Sequence, residues 1–438
     1  MTGTFSPSAT LFRCIAAAAS VLTCALVLGS CADGRDDSAR AVTETAAEPG
    51  AFTVVEDTLD SDVTAALNAA GAAAFAETSS PGAVLGVRTD DGGTWIATVG
   101  FADWDETEPM TADMYQRVGS IAKTFTVSAL MQLAEAGELS LDDPIGDYIP
   151  GIPNESATLA QLAEMRSGIP SYTFNEEFLD ELFVDPARQW EPEELVDLIR
   201  DEPAMFAPGE AMFYSNTNTV LLGLVIEQIT GEPLDEVLAE RVFAPAGLTH
   251  TSLATDDAYP DPHPQGYTMQ GLSDEEIAVG EPVDVTNLNP SWGWAAGAAI
   301  STIDDLLTWG EVLGTGDGIL SPGMQDVRLS SFDFDVPIWA GPEDRIPQTP
   351  ERAYGMGLGL AMDWYGHEGA LPGYNAYVQY YEPAGITLAV MTNSDIVSGE
   401  CDSTQDTAAN NPGLGPCQTP VSHMGDAIAE ALGHPLVP

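Results

Sequence analysis

Residues 121–133 carry apolar side chains on nearly every side: Ile121, Ala122, Phe125, Val127, Ala129, Leu130, Met131 and Leu133. A helix with no polar face has to be enclosed, so this segment predicts a central buried helix that the rest of the fold surrounds. It also holds Lys123, the single lysine of a 438-residue chain whose other basic residues are all arginine. Lys123 follows Ser120 by three positions in Val118-Gly119-Ser120-Ile121-Ala122-Lys123-Thr124-Phe125. Positions i and i+3 share a helix face, so Ser120 Oγ and Lys123 Nζ can meet. Arginine stays charged at any working pH, whereas a buried lysine can lose its proton and serve as a base. Ser-x-x-Lys at the head of an apolar helix is therefore a candidate nucleophile with its own base. The spacing alone recurs by chance, and the apolar setting is what gives it weight. Gly119 permits a tight approach to the helix start, where the Ser120 N–H can face a developing oxyanion.

The formal net charge is −55, yet only 18% of residues are charged. Missing bases contribute as much to this imbalance as added acids. Nothing here could neutralise phosphates, which excludes nucleic acid as a natural partner. The acidity fits either a saline setting or solubility alone, since net charge does not set the fold. Residues 1–30 read as a signal peptide: Arg13 is its one basic side chain, and 15–28 form an apolar stretch too short for a lasting membrane span. The stretch ends in Leu28-Gly29-Ser30-Cys31, which looks like a bacterial lipobox with Cys31 as the lipidated residue. Ordinary signal cleavage nearby, with Cys31 incidental, is the alternative. Residues 31–58 read as a flexible, acidic tether. Cys14 and Cys24 leave with the signal, so Cys401 and Cys417 remain in a Gly/Pro/Asn-rich loop outside the cytoplasm. A disulfide is the default there, two free thiols the alternative. No Cys/His spacing resembles a metal site, and no cofactor motif is present.

Residues 82–103 read as two strands around Asp90-Asp91-Gly92-Gly93. The Ser120 helix ends near Gly137. From 139 to 289 helical patterns dominate, including the stripe Val220, Leu221, Leu224, Val225 and Ile229 that stops near Gly231. A helix is expected over about 302–313, a hairpin of strands over 375–381 and 386–392, and a last helix over 422–432. The predicted organisation is thus a sheet-containing domain from 59–138 and 290–438, with a mainly helical subdomain, 139–289, inserted between.

Tyr214 and Asn216 lie in a turn begun by Pro208-Gly209, just before a helix. A phenol beside an ammonium can shuttle a proton, and Asn216 can hold a substrate amide; packing and capping are the plainer roles for such residues. Gly366-His367-Glu368-Gly369 precedes the last hairpin, and its glycines allow close backbone approach to a ligand. His367 can donate a hydrogen bond there. His250, His263, His423 and His434, and the acidic loop 314–318, read as structural.

Three motifs in this order, Ser-x-x-Lys, Tyr-x-Asn and His-x-Gly, resemble the serine penicillin-recognising family. The likeness is to the branch of class C β-lactamases, soluble DD-carboxypeptidases, D-aminopeptidases and related esterases. It extends over about residues 60–432 through Val118-Gly119-Ser120, residues 137–144, Ser167-Gly168-Ile169-Pro170, residues 214–218, 247–251 and 292–302, and Tyr354-Gly355-Met356-Gly357-Leu358. The resemblance implies an α/β (α+β) fold: an antiparallel five-stranded sheet flanked by helices, with an all-helical subdomain and the site between them. It implies Ser120 as the acylated nucleophile, Lys123 and Tyr214 as coupled base and acid, and Asn216 on the substrate amide. His367 takes the place of a lysine in class C β-lactamases, Trp292 lines the cleft, and the N–H groups of Ser120 and Ala370, beside Gly369, form the oxyanion hole.

The chain departs from soluble DD-carboxypeptidases at two positions. Glu368 stands where they carry threonine, and Gly359 where they carry an arginine; both of those residues help to hold a substrate carboxylate. A carboxylate substrate would meet negative charge at Glu368 and lose a bidentate partner at 359. The expectation is a membrane-anchored extracytoplasmic lipoprotein and a monomeric serine hydrolase acting on small peptides, amides or esters without a free carboxylate near the scissile bond. A D-alanyl-D-alanine carboxypeptidase or class C-like β-lactamase is the first alternative, and a non-catalytic penicillin-binding lipoprotein the second. The second has no use for a buried lysine.

Overall fold

The computed structural model describes residues 48–437 except 278, 343, 400 and 402–416. The signal peptide and Cys31 lie outside the described residues. An antiparallel sheet is built from β1 (Thr53–Asp57), β2 (Gly82–Thr89), β3 (Thr94–Gly100), β6 (Ala353–Tyr354), β7 (Gly359–Ala361), β8 (Trp364–Leu371), β9 (Tyr374–Tyr381) and β10 (Ile386–Thr392). Their order is β1-β3-β2-β10-β9-β8-β7-β6, so the two ends of the chain meet at the β2–β10 pair. Five long strands form the expected sheet, and short edge strands extend it on both sides. One of these corrects the tether assignment: β1 lies within 31–58 and pairs with β3 from Thr53↔Thr98 to Asp57↔Trp95. Edge strands of five residues with an acidic end carry little alternation, which is why the sequence pattern did not reveal it.

Helices cover both faces of the sheet. α1 (Ser61–Phe75) and α5 (Pro420–Ala431) pack on one face. α2 (Ala122–Glu135) and α4 (Ile303–Thr315) lie on the other. Period-two alternation in β10 serves both: Leu388 and Val390 join Trp95 and Trp364 in the first core, while Ala389 and Met391 join Phe125 and Trp309 in the second. Each such aromatic or large aliphatic residue contributes about 2–3 kcal/mol by burial. α2 is enclosed as its composition requires, with Lys123 and ten of its neighbours buried. Its few hydroxyls are paired internally; Thr124 Oγ1 accepts from Trp309 Nε1 at 2.8 Å and Ser128 Oγ from Arg328 at 2.6 Å.

Within 139–289, α3 (Asn216–Thr230) packs against α2 and ends on Gly231 in a left-handed conformation, φ 73°. This segment is not a separate body, because the described residues form one compact unit. It is also not wholly helical: Ser252–Leu253 pairs with β5 (Ala299–Ser301), which pairs in turn with β4 (Gln116–Gly119). Cys401 and Cys417 are joined, with Cα atoms 4.6 Å apart.

Candidate active site

β4 delivers Ser120 to the site. Gly119, at its end, takes φ +51°, a left-handed conformation that turns the chain into α2. A Cβ on Gly119 would come 2.7 Å from Ala370 N, so only glycine lets β4 and β8 approach this closely. The turn leaves Ser120 one residue before the Ile121 N-cap, and Lys123 one turn on. Lys123 Nζ lies 2.9 Å from Ser120 Oγ and donates to the carbonyl of Ala296 at 2.7 Å. It sits 4.9 Å from the centre of the Tyr214 ring. Lys123 is fully buried, and burial pushes its pKa well below the ordinary lysine value. A neutral amine beside a serine hydroxyl is a general base in contact with its nucleophile.

Tyr214 stands just ahead of α3, and its hydroxyl is within hydrogen-bonding reach of Ser120. Burial raises the phenol pKa, the Ser120 contact opposes that, and the charge of Glu368 adds to it. Tyr214 is thus a phenol, and so a proton donor, at neutral pH. Asn216 opens α3; its N–H donates to Ser171 Oγ at 3.1 Å and its side-chain amide to Thr173 Oγ1 at 3.2 Å. Ser120, Asn216, Trp292 and Ala370 line one cavity of about 210 Å³. Three aromatic or amide residues that sequence reasoning missed complete it: Tyr172, Phe178 and Gln270. Tyr172 donates to the carbonyl of Trp292 at 2.5 Å, and Phe178 packs on the Trp292 ring at 5.8 Å between centroids. The conspicuous Ser167-Gly168-Ile169-Pro170 segment, just ahead of Tyr172, was the one available signal. Gln270 belongs to a loop and carried none.

β8 alternates at the two positions that the sequence pairs as neighbours. His367 faces Tyr214 and Tyr354, with Nε2 3.0 Å from the Tyr354 hydroxyl and Nδ1 2.5 Å from the Glu368 carbonyl. Glu368 points the other way. Its carboxylate accepts from Thr419 Oγ1 at 2.7 Å and Ser422 Oγ at 3.0 Å, at the N-terminus of α5. The expectation that Glu368 confronts a substrate beside Ser120 is corrected accordingly: strand periodicity puts residues 367 and 368 on opposite faces of the sheet. Burial raises its pKa, against those two hydrogen bonds. Among the described residues, no group of three or more His, Cys, Asp or Glu is placed to hold a metal ion.

Burial pushes the His367 imidazole down to about 3, with the charge of Lys123 adding to it. His367 is therefore neutral around pH 7, where a general base has to work. The acid limb of kcat/KM should keep its midpoint in His367→Gln, whatever the loss in rate. A pH–rate profile in which that midpoint moves by more than about half a unit would assign the limb to the imidazole.

The Beta-lactamase family model matches residues 61–409. The chain belongs to this family. Penicillin-binding protein 4 of Amycolatopsis lactamdurans is 26% identical over 331 residues, covering 73% of this chain and 82% of that protein. A D-stereospecific amidohydrolase from Streptomyces sp. superposes with a TM-score of 0.65 at 32% identity, covering 76% of this chain and 94% of that one. The D-amino acid amidase from Ochrobactrum anthropi SV3, solved with L-phenylalanine, does so with a TM-score of 0.68 at 26% identity, covering 85% and 99%. An octameric penicillin-binding protein homologue from Pyrococcus abyssi reaches 0.66 at 25% identity, covering 85% and 78%. This β-lactamase-family chain is a serine hydrolase with the α/β architecture of its neighbours.

Proposed function

We propose that the protein hydrolyses amides, peptides or esters of apolar D-amino acids through an acyl-enzyme on Ser120. The observation that carries this is the buried Lys123 amine 2.9 Å from Ser120 Oγ, with the Tyr214 phenol on the same hydroxyl. In acylation, Lys123 takes the serine proton as Oγ attacks the carbonyl carbon. The C–N or C–O bond then breaks, and the leaving atom takes a proton from Tyr214. Proton transfer from Lys123 to Tyr214 restores both groups, and water releases the acid by the reverse sequence. The N–H groups of Ser120 and Ala370 receive the developing oxyanion, and Asn216 holds an acyl-side polar group. The aromatic lining given by Tyr172, Phe178 and Trp292 suits a side chain such as that of D-phenylalanine. The D-specific names of the structural neighbours support the same stereochemistry. With glycine at 359 and Glu368 turned to α5, no arginine stands ready for a carboxylate on the leaving group.

The lipobox-like sequence at Cys31 and the disulfide in the 401–417 loop support an exported, lipid-anchored enzyme. A monomer is the simplest state for it, although the Pyrococcus homologue is octameric. The test is intact mass with D-phenylalanine amide, D-phenylalanine methyl ester, a D-Ala-D-Ala peptide and a penicillin, with Ser120→Ala in parallel. The expected result is a Ser120-dependent adduct or turnover with the D-phenylalanine compounds and a slowly released penicillin adduct. Efficient release of D-Ala or rapid penicillin turnover would move the protein to the carboxypeptidase or β-lactamase alternative.

A further inference from the structure

Gln270 lines the cavity of Ser120 and Asn216 together with Leu371 and Pro372. Its Nε2 donates to Asp395 Oδ2. Asp395 also accepts from Thr268 Oγ1 at 3.0 Å and from the Gly373 N–H at 3.1 Å. Thr268 Oγ1 in turn accepts from the Gln270 N–H at 3.0 Å, so Gln270 is tied down at both its backbone and its amide. Three donors thus converge on one carboxyl group, and among the described residues no lysine, arginine or histidine pairs with it. Burial raises its pKa to about 6 against those hydrogen bonds, so at neutral pH it is chiefly a carboxylate. An ionised carboxylate only accepts, which fixes the Gln270 amide with Nε2 toward Asp395 and Oε1 away from it. Oε1 takes no hydrogen bond from the protein and is not enclosed, so it is an open acceptor in the cavity wall. No charged residue lines the cavity. Of its two side-chain amides, that of Asn216 is bonded to Thr173, and that of Gln270 alone is backed by a carboxylate.

The course of β8 tells which part of a substrate reaches Gln270. His367 faces Tyr214, the group that protonates the leaving atom, and Ala370 supplies an oxyanion N–H. At about 3.3 Å per residue the strand continues past the reacting carbonyl to Leu371, so the wall there is on the acyl side. Tyr214 does not line this cavity, in keeping with that direction. A D-amino acid amide or ester brings an α-ammonium to the acyl side, with three N–H donors to satisfy. We infer that Gln270 Oε1, held in place by Asp395, receives the α-ammonium of the substrate, and that the enzyme selects acyl groups with a free α-amine over N-acylated or des-amino ones. The ammonium meets an oriented carbonyl with the Asp395 charge behind it, a charge-assisted hydrogen bond; an N-acyl group brings one N–H, no charge and added bulk. Gln270 is then a specificity-determining residue and Asp395 a positioning residue. The inference rests on the acyl-enzyme reading above and names the acyl groups it takes.

Three esters with one leaving group test it: D-phenylalanine methyl ester, N-acetyl-D-phenylalanine methyl ester and methyl 3-phenylpropanoate, which lacks the amine. In the parent enzyme, kcat/KM for the free-amine ester should exceed that for either of the others by about tenfold or more. Part of that lead is intrinsic, because an α-ammonium activates the ester carbonyl. The deciding quantity is therefore the change, from parent to variant, in the ratio of free-amine to des-amino ester, in which intrinsic reactivity cancels. Gln270→Met keeps the length and removes the acceptor, and should lower the ratio at least about fivefold. Asp395→Asn keeps the shape and removes the charge, and should lower it at least about threefold; a general loss of fold would slow both esters together and leave the ratio alone. A ratio unchanged in Gln270→Met, or equal use of the N-acetyl ester by the parent, overturns the inference even if the esters acylate Ser120. A ratio lowered in Gln270→Met but not in Asp395→Asn overturns the part given to Asp395. Failure of every ester to acylate Ser120 overturns the acyl-enzyme reading, and this inference with it.

Discussion

Lys123→Met should lower kcat/KM by about 10³–10⁴ while leaving the protein at least as stable as the parent. The activity loss follows from the geometry: Nζ is 2.9 Å from Ser120 Oγ and is the base in contact with the nucleophile. The stability result follows from burial. Lys123 is enclosed completely, and desolvation alone accounts for its lowered pKa. In the unfolded chain the amine keeps its ordinary pKa of about 10.4, so there it binds a proton that the folded protein releases. The unfolded state binds more protons, so the parent's stability rises with pH between the depressed folded value and about 10.4, with a slope of up to about 1.4 kcal/mol per pH unit. Methionine has similar length and no charge to desolvate. Its cost is the donor lost by the Ala296 carbonyl, about 1 kcal/mol. Denaturant titrations across neutral to alkaline pH, run beside steady-state kinetics, check both halves. Lys123→Met should flatten the pH dependence of stability. Activity within tenfold of the parent would remove Lys123 from the mechanism.

Gly369→Ala should cost about 10²–10³ in kcat and about 1–3 kcal/mol in stability. A Cβ at 369 would meet the Val118 carbonyl oxygen at 1.8 Å and Ser120 N at 3.1 Å. Both contacts are backbone atoms, so no side chain can swing aside; β8 and β4 must separate. That separation moves Ala370 N away from Ser120 N, and the paired donors of the oxyanion hole lose their common focus. The split between kcat and KM is informative. An oxyanion defect appears mainly in kcat, because the charge it stabilises exists only in the transition state. A variant with an unchanged kcat and a raised KM would place residue 369 in substrate binding alone.

The parts of this site that could be read from the sequence are those made by neighbours along the chain. Ser120 and Lys123 are one helical turn apart, so their contact needed only the helix period. The hairpins around residues 90–93 and 382–385, and the helices α2, α4 and α5, follow from local periodicity and turn residues in the same way. Glu368 is the instructive failure. Its position beside His367 suggested a shared site, yet the two-residue period of a strand separates their side chains, and Thr419 and Ser422, more than 50 positions later in the chain, take its carboxylate. The pattern contained the first fact, but only packing could supply the second. Tyr172, Phe178 and Gln270 were missed for the same reason: two short helical turns and a loop, placed by packing between distant parts of the chain, bring them to the cavity.

The sequence by itself determined that a lysine would be buried beside a serine: an apolar helix must be enclosed, and whatever it carries at i and i+3 is enclosed together. Tertiary structure decided what surrounds that pair. The approach of β8 to β4, the meeting of Lys123 with the Ala296 carbonyl, and the capture of the Glu368 carboxylate by Thr419 and Ser422 all depend on contacts between residues far apart in the chain. Those contacts are selected by the packing of the whole core, and no local period encodes them.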